Sequence, residues 1–140
     1  MKKQQEQRKQ FNRVMELPTG KFPQLIETKR WELQRDMLIE EVEEYDEACR
    51  DKDLVKIADA LGDIIYVALG AVAEHGIQGC IEEILDEIQR SNMSKVQPNG
   101  TVLKAKNGKV MKPSNYFKPD IARIIKNHLN LHYSHTKLEV

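Results

Sequence analysis

The side chains whose types and spacing could do chemistry are carboxylates. Glu40, Glu41, Glu43 and Glu44 stand in one run, with Glu41 and Glu44 at i,i+3 and Glu40 and Glu44 at i,i+4. On a helix a subset of them therefore shares one face, where like charges repel by roughly a few tenths of a kcal/mol. Asp59 and Asp63 follow at i,i+4 in the most apolar segment of the chain. An ionised carboxylate there is costly to bury unless it is paired or bound to a metal. A solvated acidic face accounts for an isolated glutamate run, and pairing with Arg30, Arg35 or Lys56 would account for the aspartates. Two acidic pairs on consecutive antiparallel helices can instead converge. Oxygen donors without histidine or cysteine favour a hard cation, magnesium first and manganese as a substitute. Magnesium keeps waters and bridges to substrate phosphates, so the chemistry indicated is phosphate chemistry. No G-x-x-x-x-G-K-[ST] loop is present to cradle phosphates. Cationic donors must then come from elsewhere in the chain.

Helices must position these groups. Residues 1–16 read as a polar helix whose end, Phe11, Val14 and Met15, can pack. Leu17-Pro18-Thr19-Gly20 and Phe22-Pro23 break it, because proline removes a donor and restricts the residue before it. Trp31, Leu33, Met37, Leu38, Val42, Tyr45 and Ala48 recur at three- and four-residue steps, which predicts a helix over 26–50. Asp51 or Asp53 can cap the next helix, which runs to about residue 75 and ends at Gly76. Its apolar positions cover so much of the circumference that it is expected to be nearly buried. Ile81, Ile84, Leu85 and Ile88 place one stripe on a third helix over 81–93. Residues 102–111 carry Asn107-Gly108 between alternating arms, a hairpin signal. A short helix over 121–129 follows. The tail beyond it has no period, and its histidines, 128, 132 and 135, are read as tail residues rather than metal ligands. The expected fold class is all-α, a helical bundle with one small C-terminal β-hairpin. Residues 1–140 form one domain with a core over 11–121 and peripheral tails at 1–10 and 129–140.

Composition narrows the function. The 140 residues carry 22 basic and 22 acidic side chains, and the cancellation hides a layout. Residues 1–35 hold nine Lys/Arg against four acids, 36–93 four against sixteen, and 94–140 nine against two. A nucleic-acid binder requires a dominant positive surface, so this acidic centre argues against one. It suits a centre that holds a cation, with basic ends that meet an anion. No apolar run is long enough to span a membrane, and the basic opening MKKQQEQRKQ lacks the apolar run of a signal peptide, so secretion is not expected. Cys49 and Cys80 lack metal or disulfide spacing, so a cytoplasmic setting is expected.

The order Phe11, Leu17-Pro18, the run 38–44, then 59–66, Arg90-Ser91-Asn92-Met93-Ser94-Lys95 and the segment 112–120 resembles the all-α nucleoside triphosphate pyrophosphohydrolases. This is the MazG-like group that includes phosphoribosyl-ATP pyrophosphohydrolase, and the resemblance covers roughly residues 11–121. It implies magnesium ligands from an ExxE and an ExxD pair on two helices. Glu41 and Glu44 match the first pair and Asp63 the final acid; Ala60 stands where the second glutamate should be, and Asp59 replaces it one residue earlier. The resemblance further implies attack of water on the α-phosphorus of a nucleoside triphosphate, giving a monophosphate and pyrophosphate. Glu40 or Glu41 is then the base. Asn92 and Lys95 are candidate substrate contacts, with Lys112, Tyr116 and Lys118 as further ones. A homo-oligomer, dimer or dimer of dimers, is expected to cover the apolar central helix. Two rivals are phosphoribosyl-ATP hydrolysis in histidine synthesis and a non-enzymatic helical interaction module in which the acids form a docking face.

Overall fold

The computed structural model of the chain describes residues 1–136, with side chains as far as Leu131. It divides into two compact units, Met1–Gly79 and Cys80–Val140.

The first unit is built on a tight reversal between its two long helices, α2 (Thr28–Asp51) and α3 (Leu54–Glu74). Lys52 closes α2 in the left-handed conformation, with φ of 56°. Asp53 then caps α3, its Oδ1 accepting from the amides of Val55 at 3.0 Å and Lys56 at 3.2 Å. Those two bonds satisfy orphan donors of the first turn and select Asp53 over Asp51 as the cap. A two-residue link forces the helices antiparallel, so the start of α2 lies beside the end of α3. α3 ends where expected, at His75 and Gly76, the latter at φ of +70°. A Cβ at Gly76 would stand 2.0 Å from the carbonyl oxygen of Phe22, so both backbone angle and space require glycine.

The preceding helix, α1 (Lys2–Val14), packs on α3. Its buried face is polar: Gln5, Arg8 and Asn12. Of its apolar end Phe11 packs as expected, its ring meeting that of Tyr66 on α3, while the expected packing of Val14 and Met15 is corrected, because both are exposed. Position, not residue type, decides: the stripe Gln5, Arg8, Asn12 at i,i+3,i+7 faces α3. The proline-containing connector is tied across the end of α3. The amide of Gly20 donates to the carbonyl of Ala73 at 2.8 Å and that of Gln24 to His75 at 2.9 Å.

The expectation that α3 is nearly buried is also corrected. Ala60, Val67, Leu69, Gly70, Ala73 and Glu74 are buried, but Leu54, Val55, Leu61 and Ile65 are exposed. The reason is coverage, since α1 and α2 leave part of the circumference of α3 open.

In the second unit α4 spans Ile81–Met93, as its periodicity predicts, and α5 spans Ile121–Thr136, continuing past residue 129. Ile84 and Ile124 are buried in this unit. Asp120 Oδ1 accepts from the amide of Arg123 at 3.1 Å at the start of α5. The expected hairpin does not form a sheet. Only isolated antiparallel bridges, Val96 with Val102 and Lys104 with Val110, occur among the described residues. The Asn107-Gly108 turn itself is made, with the Asn107 side chain accepting from the amide of Lys109 at 3.1 Å. Its arms carry lysines and exposed Leu103, Val110 and Met111, and a lone two-stranded arm with nothing to bury is marginal. Of the tail histidines, His128 lies on α5, while the side chains of 132 and 135 and the whole of 137–140 fall outside the described residues.

Candidate functional site

The antiparallel reversal dictates which acids meet. Glu41 and Glu44 on α2 stand opposite Asp63 and Asp59 on α3. Burial, and then the negative charges of Asp63, Glu44, Glu40 and Asp59, push the Glu41 carboxyl above the usual carboxylate range. Acids from both helices contribute to the rise after burial, as facing helices require. Glu40, Glu44, Asp59 and Asp63 are exposed and Glu41 is half-buried. The expected penalty for burying Asp59 and Asp63 is therefore avoided by facing them outward. Ala60, between them, is 3% exposed, so its side chain points into the helix packing and a glutamate there would be buried.

The pairing alternative for the aspartates can be checked against the cations. Arg30 pairs with Glu74, Arg35 with Asp36, and Lys56 with Asp51 at 3.4 Å. None of Glu40, Glu41, Glu44, Asp59 and Asp63 has an ion pair among the described residues. Glu44 and Asp59 share a cleft of about 320 Å³ with Glu47, Ala48 and Lys56.

Whether this donor set fits a metal is a question of chemistry and of spacing. Among the described residues no three His, Cys, Asp or Glu side chains are drawn close enough to hold an ion as they stand. The donors are nonetheless all carboxylate oxygens from two facing helices, mutually repelling and without an ion pair among the described residues, the nearby Lys56 being paired with Asp51. Their chemistry fits a hard divalent cation.

At the opposite end of the same helix pair the pattern reverses. Glu74, with a side chain 1% exposed, accepts from Arg30 Nε at 3.0 Å and from Gln34 Nε2 at 2.6 Å, and Arg30 Nη2 closes a second, shorter contact. The sequence offers Arg30 as a partner for Asp59 and Asp63 and does not single out Glu74. The available signal was an acid in the last turn of an apolar helix, where only a buried partner makes it tolerable.

In the second unit four of the five substrate-contact candidates come together. Lys95 Nζ donates to Asn92 Oδ1 at 2.7 Å, and Lys112 Nζ lies 4.8 Å from the centre of the Tyr116 ring. The neighbouring Ser91 hydroxyl, then the charges of Lys112 and Lys95, hold the Tyr116 hydroxyl below its ordinary value. Lys118 is exposed, and among the described residues no hydrogen bond or ion pair joins it to this group. The scaffold beneath is firm. Ser91 Oγ donates to the carbonyl of Phe117 at 2.8 Å, and Asn115 Nδ2 to the carbonyls of Ser94 and Val96 at 2.8 and 2.9 Å. Glu87 and Arg90 form a bidentate pair at 2.8 Å, and the Arg90 guanidinium lies 4.3 Å from the centre of the Phe117 ring. Ser91 and Glu87 escaped the sequence reading, because their role depends on where the 113–120 segment returns.

An all-helical chain with glutamates and aspartates opposed across an antiparallel pair agrees with the all-α pyrophosphohydrolases that the sequence resembles. Residues 8–92, more than half of the chain, match the family described as phosphoribosyl-ATP pyrophosphohydrolase, and the chain belongs to that family within the MazG-like superfamily. It is therefore a hydrolase acting on phosphorus-containing anhydrides, in a family that depends on metal. No curated protein matches the chain. Among the described residues no helix is long and apolar enough to cross a membrane. No disulfide joins Cys49, which is exposed, to Cys80, which is buried.

Proposed function

We propose that the protein is a magnesium-dependent nucleoside triphosphate pyrophosphohydrolase that cleaves a (d)NTP to the monophosphate and pyrophosphate, acting on the cytoplasmic nucleotide pool. The observation that carries this reading is the set of acids around Glu41, contributed by both helices and without an ion pair among the described residues. Glu41, Glu44, Asp59 and Asp63 would hold the cation, manganese serving as a substitute. When bound, it supplies polarisation of the phosphoryl oxygens and neutralises the charge that develops on them. The chain's own residues do the rest. Glu40 or Glu41 takes a proton from the water whose oxygen bonds the α-phosphorus, and the bond from that phosphorus to the bridging oxygen breaks, releasing pyrophosphate. A carboxylate whose pKa stands above the usual range is the better proton acceptor, which favours Glu41. Asn92, Lys95, Lys112, Tyr116 and Lys118 are the proposed nucleotide contacts, with the ammonium groups meeting phosphate oxygens.

The exposed apolar side chains of α2 and α3, Trp31, Leu33, Ile39, Val42, Leu61 and Ile65, support a homo-oligomer, dimer or dimer of dimers, that covers them. Light scattering on the purified protein reads its mass directly, and a monomer would end that part of the reading.

A second reading, hydrolysis of phosphoribosyl-ATP, is favoured by the description of the matching family. Both substrates carry a triphosphate and lose pyrophosphate, so the same acids serve. One experiment separates them: pyrophosphate release, with magnesium, from canonical and damaged (d)NTPs and from phosphoribosyl-ATP. Turnover of the nucleotides above phosphoribosyl-ATP is expected. The reverse order selects the second reading, and no turnover of either defeats both.

A further inference from the structure

Arg8 is a buried cation without an anion among the described residues. The residue is 5% exposed, yet its guanidinium makes no hydrogen bond or ion pair with any described residue, and its Nε is sealed from solvent with no partner. Two aromatic rings hold it instead. Its central carbon lies 5.0 Å from the centre of the Phe11 ring and 4.7 Å from that of Tyr66, which meet edge to face at 5.8 Å. Gly70 opens the space it occupies, since a Cβ there would stand 2.3 Å from Nη2. Stacking of this kind fixes a planar guanidinium but satisfies none of its five donors. A desolvated charge with open donors is expensive to keep unless something completes it.

Its address says what completes it. Asp59, Asp63, Tyr66 and Gly70 follow one another at i,i+4,i+7,i+11 and lie on one stripe of α3. Arg8 thus sits over the turns that succeed Asp63, Tyr66 rising about 4.5 Å and Gly70 about 10 Å beyond it along the axis. A triphosphate or pyrophosphate engaged at the acids extends over such a length. We propose that Arg8, carried in by the N-terminal helix and clamped between Phe11 and Tyr66, binds a phosphate oxyanion of the substrate and the released pyrophosphate. The planar fork suits phosphate oxygens, and the stacked rings hold it pre-oriented, so little freedom is lost on binding. This rests on the pyrophosphohydrolase reading and gives the basic N-terminal segment a role in it.

The test uses the full chain and inorganic pyrophosphate in EDTA, which silences any metal at the acids, with binding read by calorimetry. Wild type is expected to bind, R8Q to bind about ten- to hundredfold more weakly, as for loss of a charged hydrogen bond, and E41Q to bind as well as wild type or better. Binding that R8Q leaves unchanged, or none by wild type, overturns the proposal. G70A is the second variant: it keeps Arg8 but drives a methyl into the guanidinium, whose flexible end can move aside. It is expected to weaken pyrophosphate binding without lowering the thermal midpoint much, so the test stands even if R8Q fails to fold. In turnover with magnesium, R8Q should raise KM for the nucleotide with kcat little changed. A wild type that turns over no nucleotide defeats the hydrolase reading instead, whatever EDTA binding shows. Turnover with KM untouched by R8Q defeats only the role of Arg8.

Discussion

The two ends of the α2–α3 pair treat carboxylates in opposite ways. At one end Glu74 is buried and answered by Arg30 and Gln34, and burial of the pair is tolerable because the acceptors are filled. At the other, five acids face one another with no ion pair among the described residues, although Arg30, Arg35 and Lys56 are all on the same two helices. Each of those cations is engaged elsewhere. A helix pair built only for stability would distribute them otherwise. The difference teaches that uncompensated repulsion at one end is a standing cost, and the paired end helps the helix pair bear it.

The sharpest way to break this contrast is to remove charge from the unpaired end. Asp63→Asn and Glu41→Gln should each cut pyrophosphate release by about 10²–10³-fold, since each deletes a proposed ligand or base. Neither should lower the thermal midpoint, because each also removes like-charge repulsion. Steady-state rates beside calorimetric melts give both numbers. A variant that loses stability along with activity would show that the acids support the fold rather than the chemistry.

The paired end should respond the other way. Glu74→Gln leaves Arg30 without its carboxylate and should cost about 3 kcal/mol, as for other broken buried pairs. Exchanging both partners, Arg30→Met with Glu74→Met, should cost less than Glu74→Gln alone, because no charge is left unanswered. Urea titrations of the two variants test the order, and equal losses would mean that the pair is not the reason Glu74 is tolerated.

What the sequence made legible follows the same division. Periodicity and caps located α4 at Ile81–Met93, the Asp53 cap and the Gly76 stop, because these depend on neighbours in the chain. The convergence of Glu41 with Asp63 was readable too, since a short reversal leaves two long helices only one antiparallel register. Tertiary pairing was not readable. Gln5, Arg8 and Asn12 look like the outside of a polar helix, and only the approach of α1 to α3 turns them inward. Arg30 and Glu74 are joined across the length of two helices, and no local pattern names them as partners. The hairpin failed for a related reason: Asn107-Gly108 determines a turn, but a ladder needs an apolar face to cover.

The smallest effect is also the most direct comparison, because two glutamates shift in opposite directions. Glu41 stands above the ordinary 4.5 through burial and surrounding acids. Glu87 in the second unit is lowered to about 2, chiefly by the Arg90 hydrogen bond and then by the Asp120 amide at 2.7 Å. For Glu41 the folded chain holds its proton more tightly than the unfolded chain. Its stabilising share is thus complete below 4.5 and is lost as pH rises through the raised value. For Glu87 the share is complete above 4.5 and is lost as pH falls toward about 2. Glu41→Gln should accordingly flatten the stability profile just above 4.5, and Glu87→Gln should flatten it below. Magnesium sharpens the distinction further. A cation at the acids competes with the Glu41 proton and should draw its titration downward, leaving Glu87 where it is, in carboxyl-carbon NMR titrations with and without the metal. If both glutamates ignored magnesium, the unpaired end would have lost its proposed partner. The acids would then have to be explained as a surface that the fold merely endures.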